Sequence, residues 1–252
     1  MNNEMHRMEG KKVAFLTLGC KVNSYETEGM RELFLKAGAV ETGFEKEADI
    51  YVVNTCSVTN MADRKSRQML HRAKKKNPEA LVVAAGCYVQ AAGEKLSEQE
   101  GIDLVVGNNQ KARIVELTVE ALAKKEERLC ALLDIGKEKD YEELPIETVT
   151  ERTRAYIKIE DGCNQFCSYC IIPYLRGKFR SRQIDDILYE AAKLAATHSK
   201  LKNSYNVEVD YTQAKNVKKI PGAKPGMVIY HEYRTVYVTP SAETVEKLRR
   251  GN

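Results

Sequence analysis

No stretch of this chain is apolar for the roughly 20 residues that a helix needs to cross a bilayer, so a membrane-spanning segment is excluded from the reading. The N-terminal residues Met1–Lys12 are polar and lack the apolar core of a secretory leader. A cytoplasmic protein with no membrane partner is therefore expected. Internal repeats and low-complexity tracts are also missing, which sets aside solenoid and fibrous architectures. Histidine is scarce: His6, His71, His198 and His231 are the only 4, and none has a partner visible in sequence, so no histidine base or ligand is expected.

What is present is ordinary in bulk. The 252 residues, 43% hydrophobic and 30% charged, suffice for one large domain or two small ones. Net charge is +4, unevenly spread: residues His198–Asn252 hold 10 Lys/Arg against 5 Asp/Glu, a surplus of +5 that leaves −1 for the rest. Such a basic tail fits either a polyanionic partner or a solvated charged face. The 7 cysteines are an odd number. In a reducing compartment, clustered cysteines suggest metal or catalysis before disulfides.

The first half alternates strand and helix. Strands are expected at Val13–Leu18, Ile50–Asn54, Leu81–Ala85 and Leu104–Gly107, with helices at Asn23–Lys36, Asn60–Lys76 and Ala112–Lys125. Asn23 or Ser24 would cap the first helix, Gly38 would stop it, and Pro78 follows the second. Strands that are apolar throughout point to a parallel sheet covered on both faces, an α/β doubly wound fold. Lys124–Thr150 reads as a charged linker. A strand at Ala155–Ile159 then leads into a cysteine-rich loop and a helix over about Gln183–Ser199. Short strands at Val207–Tyr211, Met227–Tyr230 and Thr235–Thr239 follow, separated by Pro-Gly turns, with Ser241 as the cap of a last helix.

The sharpest chemical signal is Gly162-Cys163-Asn164-Gln165-Phe166-Cys167-Ser168-Tyr169-Cys170. A tight loop with this spacing can turn three sulfurs toward one centre, and no fourth Cys or His lies nearby. A structural zinc site takes four protein ligands, whereas a cubane iron–sulfur cluster on three thiolates leaves one iron open for a small molecule. A zinc knuckle borrowing a distant ligand, or three unrelated core cysteines, are the alternatives. Three further cysteines, Cys20, Cys56 and Cys87, each fall just past an expected parallel strand. That edge of an open α/β sheet is where ligands bind, so the three could hold a second metal centre. Singly, each could equally be a small buried hydrophobe. Cys130 has no assigned role. The cations of Pro173–Arg182, Arg176 among them, fit a ligand carboxylate, RNA phosphate or a solvated loop. The basic segment Arg64–Lys76 reads as a wet helix face before an RNA groove.

The cysteine loop closely resembles that of the radical S-adenosylmethionine superfamily. Thr17-Leu18-Gly19-Cys20-Lys21-Val22-Asn23, Asn54-Thr55-Cys56-Ser57-Val58-Thr59 and Ala85-Gly86-Cys87-Tyr88 resemble the N-terminal domain of the tRNA methylthiotransferase family. The likeness runs over residues 11–185 and is greatest to the branch acting on N6-threonylcarbamoyladenosine beside the anticodon. It implies two 4Fe–4S clusters as cofactors. One, on Cys163, Cys167 and Cys170, would bind S-adenosylmethionine, with Arg176 near its carboxylate, and generate the radical. The other, on Cys20, Cys56 and Cys87, would carry the sulfur inserted at C2 of the adenine. Partners implied are tRNA, S-adenosylmethionine and an electron donor. An aromatic C–H is beyond ordinary side chains, so the hard chemistry would belong to the cofactors.

Beyond the loop the family pattern supplies one helix where a radical S-adenosylmethionine barrel repeats strand and helix, so a truncated barrel is expected. Glu190–Pro240 instead resembles the C-terminal half of an NFACT RNA-binding domain, from ribosome quality-control proteins, through Asp210-Tyr211-Thr212 and Gly222-Ala223-Lys224-Pro225-Gly226-Met227-Val228-Ile229-Tyr230. This implies ribosomal RNA as a further partner and, as the alternative function, an RNA- or ribosome-binding fragment. The expected organisation is residues 11–123 as the N-terminal domain, 124–150 as linker, 151–189 as the start of a radical S-adenosylmethionine domain and 190–252 as a small α+β fragment.

Overall fold

The structure is a computed structural model and describes residues 8–124, 127–144, 146, 156–197, 228–231 and 234–236. The chain divides into two compact units, Met1–Pro145 with Asp161–Arg180, and Ile146–Glu160 with Ser181–Asn252.

The first unit is built on six parallel strands: β1 (Lys12–Thr17), β2 (Val40–Thr42), β3 (Ile50–Thr55), β4 (Leu81–Gly86), β5 (Leu104–Val106) and β6 (Leu129–Ala131). They lie in the order β2-β1-β3-β4-β5-β6, every neighbouring pair parallel. β3 and β4 are buried along their whole length, as uniformly apolar central strands must be. The helices are α1 (Lys21–Lys36), α2 (Asn60–Lys76), α3 (Cys87–Ala92) and α4 (Ile114–Ala123), with one-turn 3-10 segments at Gly93–Glu98 and Lys111–Arg113.

Alternation along the strands splits the core in two. Val13, Ile50, Val52, Leu81, Val83 and Leu104 face α1 and α4, where they meet Met30, Phe34, Ile114 and Leu117. Tyr51, Val53, Val82 and Ala84 point the other way, onto Met69, Leu70 and Ala73 of α2 and Val89 of α3. α1 and α2 therefore cover opposite faces. The chain winds outward from β1 in one direction and from β3 in the other, so the topological switch point, where such sheets hold ligands, lies between β1 and β3.

Local chemistry accounts for most boundaries. Thr59 caps α2 by accepting from the Ala62 amide at 3.1 Å, and Lys74, Lys75 and Lys76 complement the dipole at the other end. α1 departs from expectation: it begins at Lys21 with Cys20 as N-cap and no side-chain cap bond. Asn23 is committed elsewhere, donating to the carbonyls of Leu18 and Thr55, both at 2.8 Å.

The segment read as linker is partly structure. Leu129–Ala131 supplies the sixth strand, paired with β5, and Leu144 is fully buried against Gly29 of α1. The strand expected at Ala155–Ile159 is corrected: residues 156–159 are not in a strand, and pairing is confined to β7 (Glu160–Asp161) with β8 (Arg180–Ser181). The physical reason is the partner, since β8 offers only two residues to pair with. Between β7 and β8 lie the cysteine loop and α5 (Ile172–Arg176).

In the second unit, α6 (Ile184–Thr197) opens with Asp185 and Asp186, favourably placed on its N-terminal dipole. β9 (Val228–His231) and β10 (Arg234–Val236) pair antiparallel. The expected strand Val207–Tyr211, the last helix and most of the NFACT-like stretch lie outside the described residues.

Candidate functional site

Cys56 and Cys87 directly follow β3 and β4, and Cys20 follows β1 after Leu18 and Gly19, so all three stand just past adjacent strands that flank the switch point. Cys20 is exposed, while Cys56 and Cys87 are 6% and 3% exposed. Gly19 adopts φ +97°, and a Cβ there would sit 2.6 Å from Cys56 Sγ. The loop carrying Cys20 thus lies directly against the Cys56 thiol, and only glycine permits it. Ser66 of α2 clasps the Cys56 backbone, its hydroxyl donating to the carbonyl at 3.0 Å and accepting from the amide at 3.3 Å. Burial pushes the Cys87 thiol up from its ordinary value. The charges of Arg176 and Lys111 oppose that, and Glu26 and Cys20 reinforce it.

The second set follows β7. Cys163 and Cys170 are half-buried and Cys167 is exposed. The Cys163 amide donates to the Gly177 carbonyl at 3.1 Å and the Cys170 amide to the Cys167 carbonyl at 2.9 Å, so the loop is closed at its base and turned at its end. Gly162, at φ +77°, leaves no room for a Cβ against the Lys178 carbonyl. Phe166 also has positive φ and packs edge-to-face on Tyr174 at 5.7 Å, with Tyr169 90% exposed beside it. Among the described residues, no three His, Cys, Asp or Glu side chains form a group that could hold a metal ion as they stand. The donor chemistry nevertheless fits a soft, thiolate-bound centre. Each set supplies three thiols, and at the sheet rim Gly19 seats the loop carrying Cys20 against the Cys56 thiol.

Arg176, expected near a ligand carboxylate, is 1% exposed, and its donors are taken by protein acceptors. Nη1 donates to Glu26 Oε1 at 2.8 Å and Asp161 Oδ1 at 3.0 Å, and Nη2 to Asn23 Oδ1 at 3.0 Å. Burial works against its charge, but Asp161, Glu26 and Cys87 outweigh that and hold the guanidinium well above its ordinary value. Glu26 also binds Lys111 Nζ at 2.8 Å, and Lys111 donates to Asn108 Oδ1 at 2.6 Å. Asn108 completes the circuit, its amide donating to the Leu175 carbonyl at 2.7 Å and lying 4.0 Å from Cys87 Sγ. Asn23, Glu26, Asn108, Lys111 and Asp161 escaped the sequence reading. The one signal was a helix, α1, whose Asn23, Glu26 and Thr27 are polar on its buried side. Cys130 is exposed on β6, apart from both sets, and Arg64, Lys65, Arg67, Arg72 and Lys75 form an exposed face of α2.

Residues 12–107 match the family described as Uncharacterized protein family UPF0004. The chain is 42% identical over 182 residues to a threonylcarbamoyladenosine tRNA methylthiotransferase of Bacillus subtilis (strain 168), a match covering 72% of this chain and 40% of the relative. The likeness is to methylthiotransferases, over 72% of this chain. A threonylcarbamoyladenosine tRNA methylthiotransferase of Aquifex aeolicus (strain VF5) is 40% identical over 184 residues, covering 73% of this chain and 45% of that protein. A tRNA-2-methylthio-N(6)-dimethylallyladenosine synthase of Thermodesulfovibrio yellowstonii is 34% identical over 192 residues, with 75% and 43% covered. The chain thus spans less than half the length of these methylthiotransferases. No helix among the described residues is long and apolar enough to cross a membrane.

Proposed function

We propose that this chain carries the thiol chemistry of a tRNA methylthiotransferase, with two iron–sulfur clusters and S-adenosylmethionine as cofactors. The observation that supports it is the placement of Cys20, Cys56 and Cys87 past the carboxyl ends of three adjacent strands, with a separate three-thiol loop in the same compact unit. Cys20, Cys56 and Cys87 would hold one cluster, and Cys163, Cys167 and Cys170 the other. When bound, such clusters supply one-electron cleavage of S-adenosylmethionine, fed by an external electron donor, and sulfur for transfer.

The chain's own residues set the environment. Cys56 and Cys87 are shielded from water, while Cys20 opens the rim to a substrate. Arg176 and Lys111 place two buried cations whose charge partly offsets the burial that disfavours the Cys87 thiolate. The exposed Phe166, Tyr169 and Tyr174 give the loop flat faces on which a nucleobase can stack. The greater identity to relatives named for threonylcarbamoyladenosine, 42% and 40% against 34%, favours that modified adenosine in tRNA as substrate.

Anaerobic reconstitution tests the reading. The full chain should take up about two clusters. Replacing Cys163, Cys167 and Cys170 with alanine should remove one, and replacing Cys20, Cys56 and Cys87 the other. Reduced protein should release 5′-deoxyadenosine from S-adenosylmethionine. A chain that retains only zinc refutes the proposal.

A further inference from the structure

α5 follows Cys170 almost directly, and its last two residues reach far back along the chain. Arg176 meets Glu26 across 150 positions and Asn23 across 153, and Leu175 meets Asn108 across 67. These contacts close a ring: Arg176 to Glu26, Glu26 to Lys111, Lys111 to Asn108, Asn108 to the Leu175 carbonyl. Each side chain in the ring is essentially inaccessible to water.

We propose that Arg176 is a positioning residue that clamps α5 over the carboxyl rim of the sheet, enclosing Cys87 and fixing the Cys163–Cys170 segment relative to Cys20, Cys56 and Cys87.

Three observations carry this. First, the guanidinium fork binds both ends of the loop at once, since Asp161 precedes Cys163 while Arg176 itself follows Cys170. Second, its other branch lands on Asn23, whose amide in turn donates to the carbonyls of Leu18 and Thr55. Those carbonyls lie within two residues of Cys20 and beside Cys56, so one side chain steadies both rim loops. Third, α5 packs on α3, whose first residue is Cys87, and Asn108 touches both the α5 carbonyl and the Cys87 sulfur. A lysine could keep the charge but not the planar fork that reaches Glu26, Asp161 and Asn23 together.

The proposal rests on the proposed function only for the use of two thiol sets; the clamp belongs to the chain without metal. The test is alkylation of the reduced, metal-free full chain with N-ethylmaleimide, resolved cysteine by cysteine by mass spectrometry, with exposed Cys130 as internal reference. R176K should raise the Cys87 rate by about tenfold or more, since local opening rather than global unfolding then limits access. Cys130 should keep its rate. N23A should act in the same direction. R176K/N23A should be faster by less than the product of the two single effects, because the Arg176–Asn23 bond is lost in both. Should R176K fail to fold, N23A carries the comparison alone. An unchanged Cys87 rate in the folded variants overturns the proposal. So does a rise shared by Cys87, Cys56 and Cys130, which marks general loosening. Failure of iron uptake by the wild type would sink the proposed function and leave this result standing.

Discussion

Gly19 and the thiol of Cys56 are so closely apposed that one added methyl group would meet Sγ at 2.6 Å and Cβ at 2.7 Å. The contact brings together the ends of β1 and β3, and it leaves no slack for a side chain at position 19. Gly19→Ala must strain a positive-φ backbone and displace a sulfur. It should cost about 2 kcal/mol or more in urea unfolding. In a chain lacking Cys163, Cys167 and Cys170, it should also lower iron retention. Full iron retention with wild-type stability would show that the rim is looser than described.

Glu26 is 1% exposed and holds two cations, Arg176 and Lys111, each at 2.8 Å. Removing one partner of a buried ion pair leaves its charge uncompensated, at a cost of about 3–5 kcal/mol. Glu26→Ala should therefore destabilise severely. Lys111→Met combined with Glu26→Gln should recover part of the loss, because a cation and a carboxylate leave together. Urea denaturation of the three proteins checks the order.

The Cys87 thiol ionises above its ordinary value of 9.0 because burial disfavours the thiolate. The sign follows from proton counting. As pH rises past about 9, the unfolded thiol loses its proton while the folded one keeps it, so the folded state binds more protons and stability falls. The contribution is whole below the unfolded value and is lost as pH climbs toward the folded one. The stability difference between wild type and Cys87→Ala, measured on metal-free reduced protein, should shrink between pH 8 and pH 10. A difference that grows over that interval would reverse the assignment.

Leu144 is fully buried, and its Cβ would lie 2.7 Å from a Cβ added at Gly29. Leu144→Ala should cost about 2–5 kcal/mol, and Gly29→Ala should also destabilise. If the segment were a free linker, both changes would be silent in thermal melting.

β3 and β4 are apolar without interruption, which only a two-sided core explains, so the parallel sheet and the rim positions of Cys56 and Cys87 were readable. Leu129–Ala131 was not, because it belongs to a short apolar run, Leu129–Leu133, set in a charged stretch and carrying no period. The cysteines declared themselves by residue type and spacing. Asn23, Glu26 and Asn108 did not, because a buried polar side chain looks like any surface one until its partners, up to 153 positions away, are known. Arg176 was visible as a cation, but its acceptors were not.

Both margins of the six-stranded sheet end in strands of three residues, β2 and β6. An open margin is a template for a neighbouring chain, and its danger grows with its length. Here each margin exposes little unpaired backbone, and at β2 Glu41 is tied down by Arg31 at 2.8 Å. The chain exposes the Cys20 thiol at one end of its sheet, while its short margins give another molecule little hold along the sides, which favours recovery over aggregation on refolding.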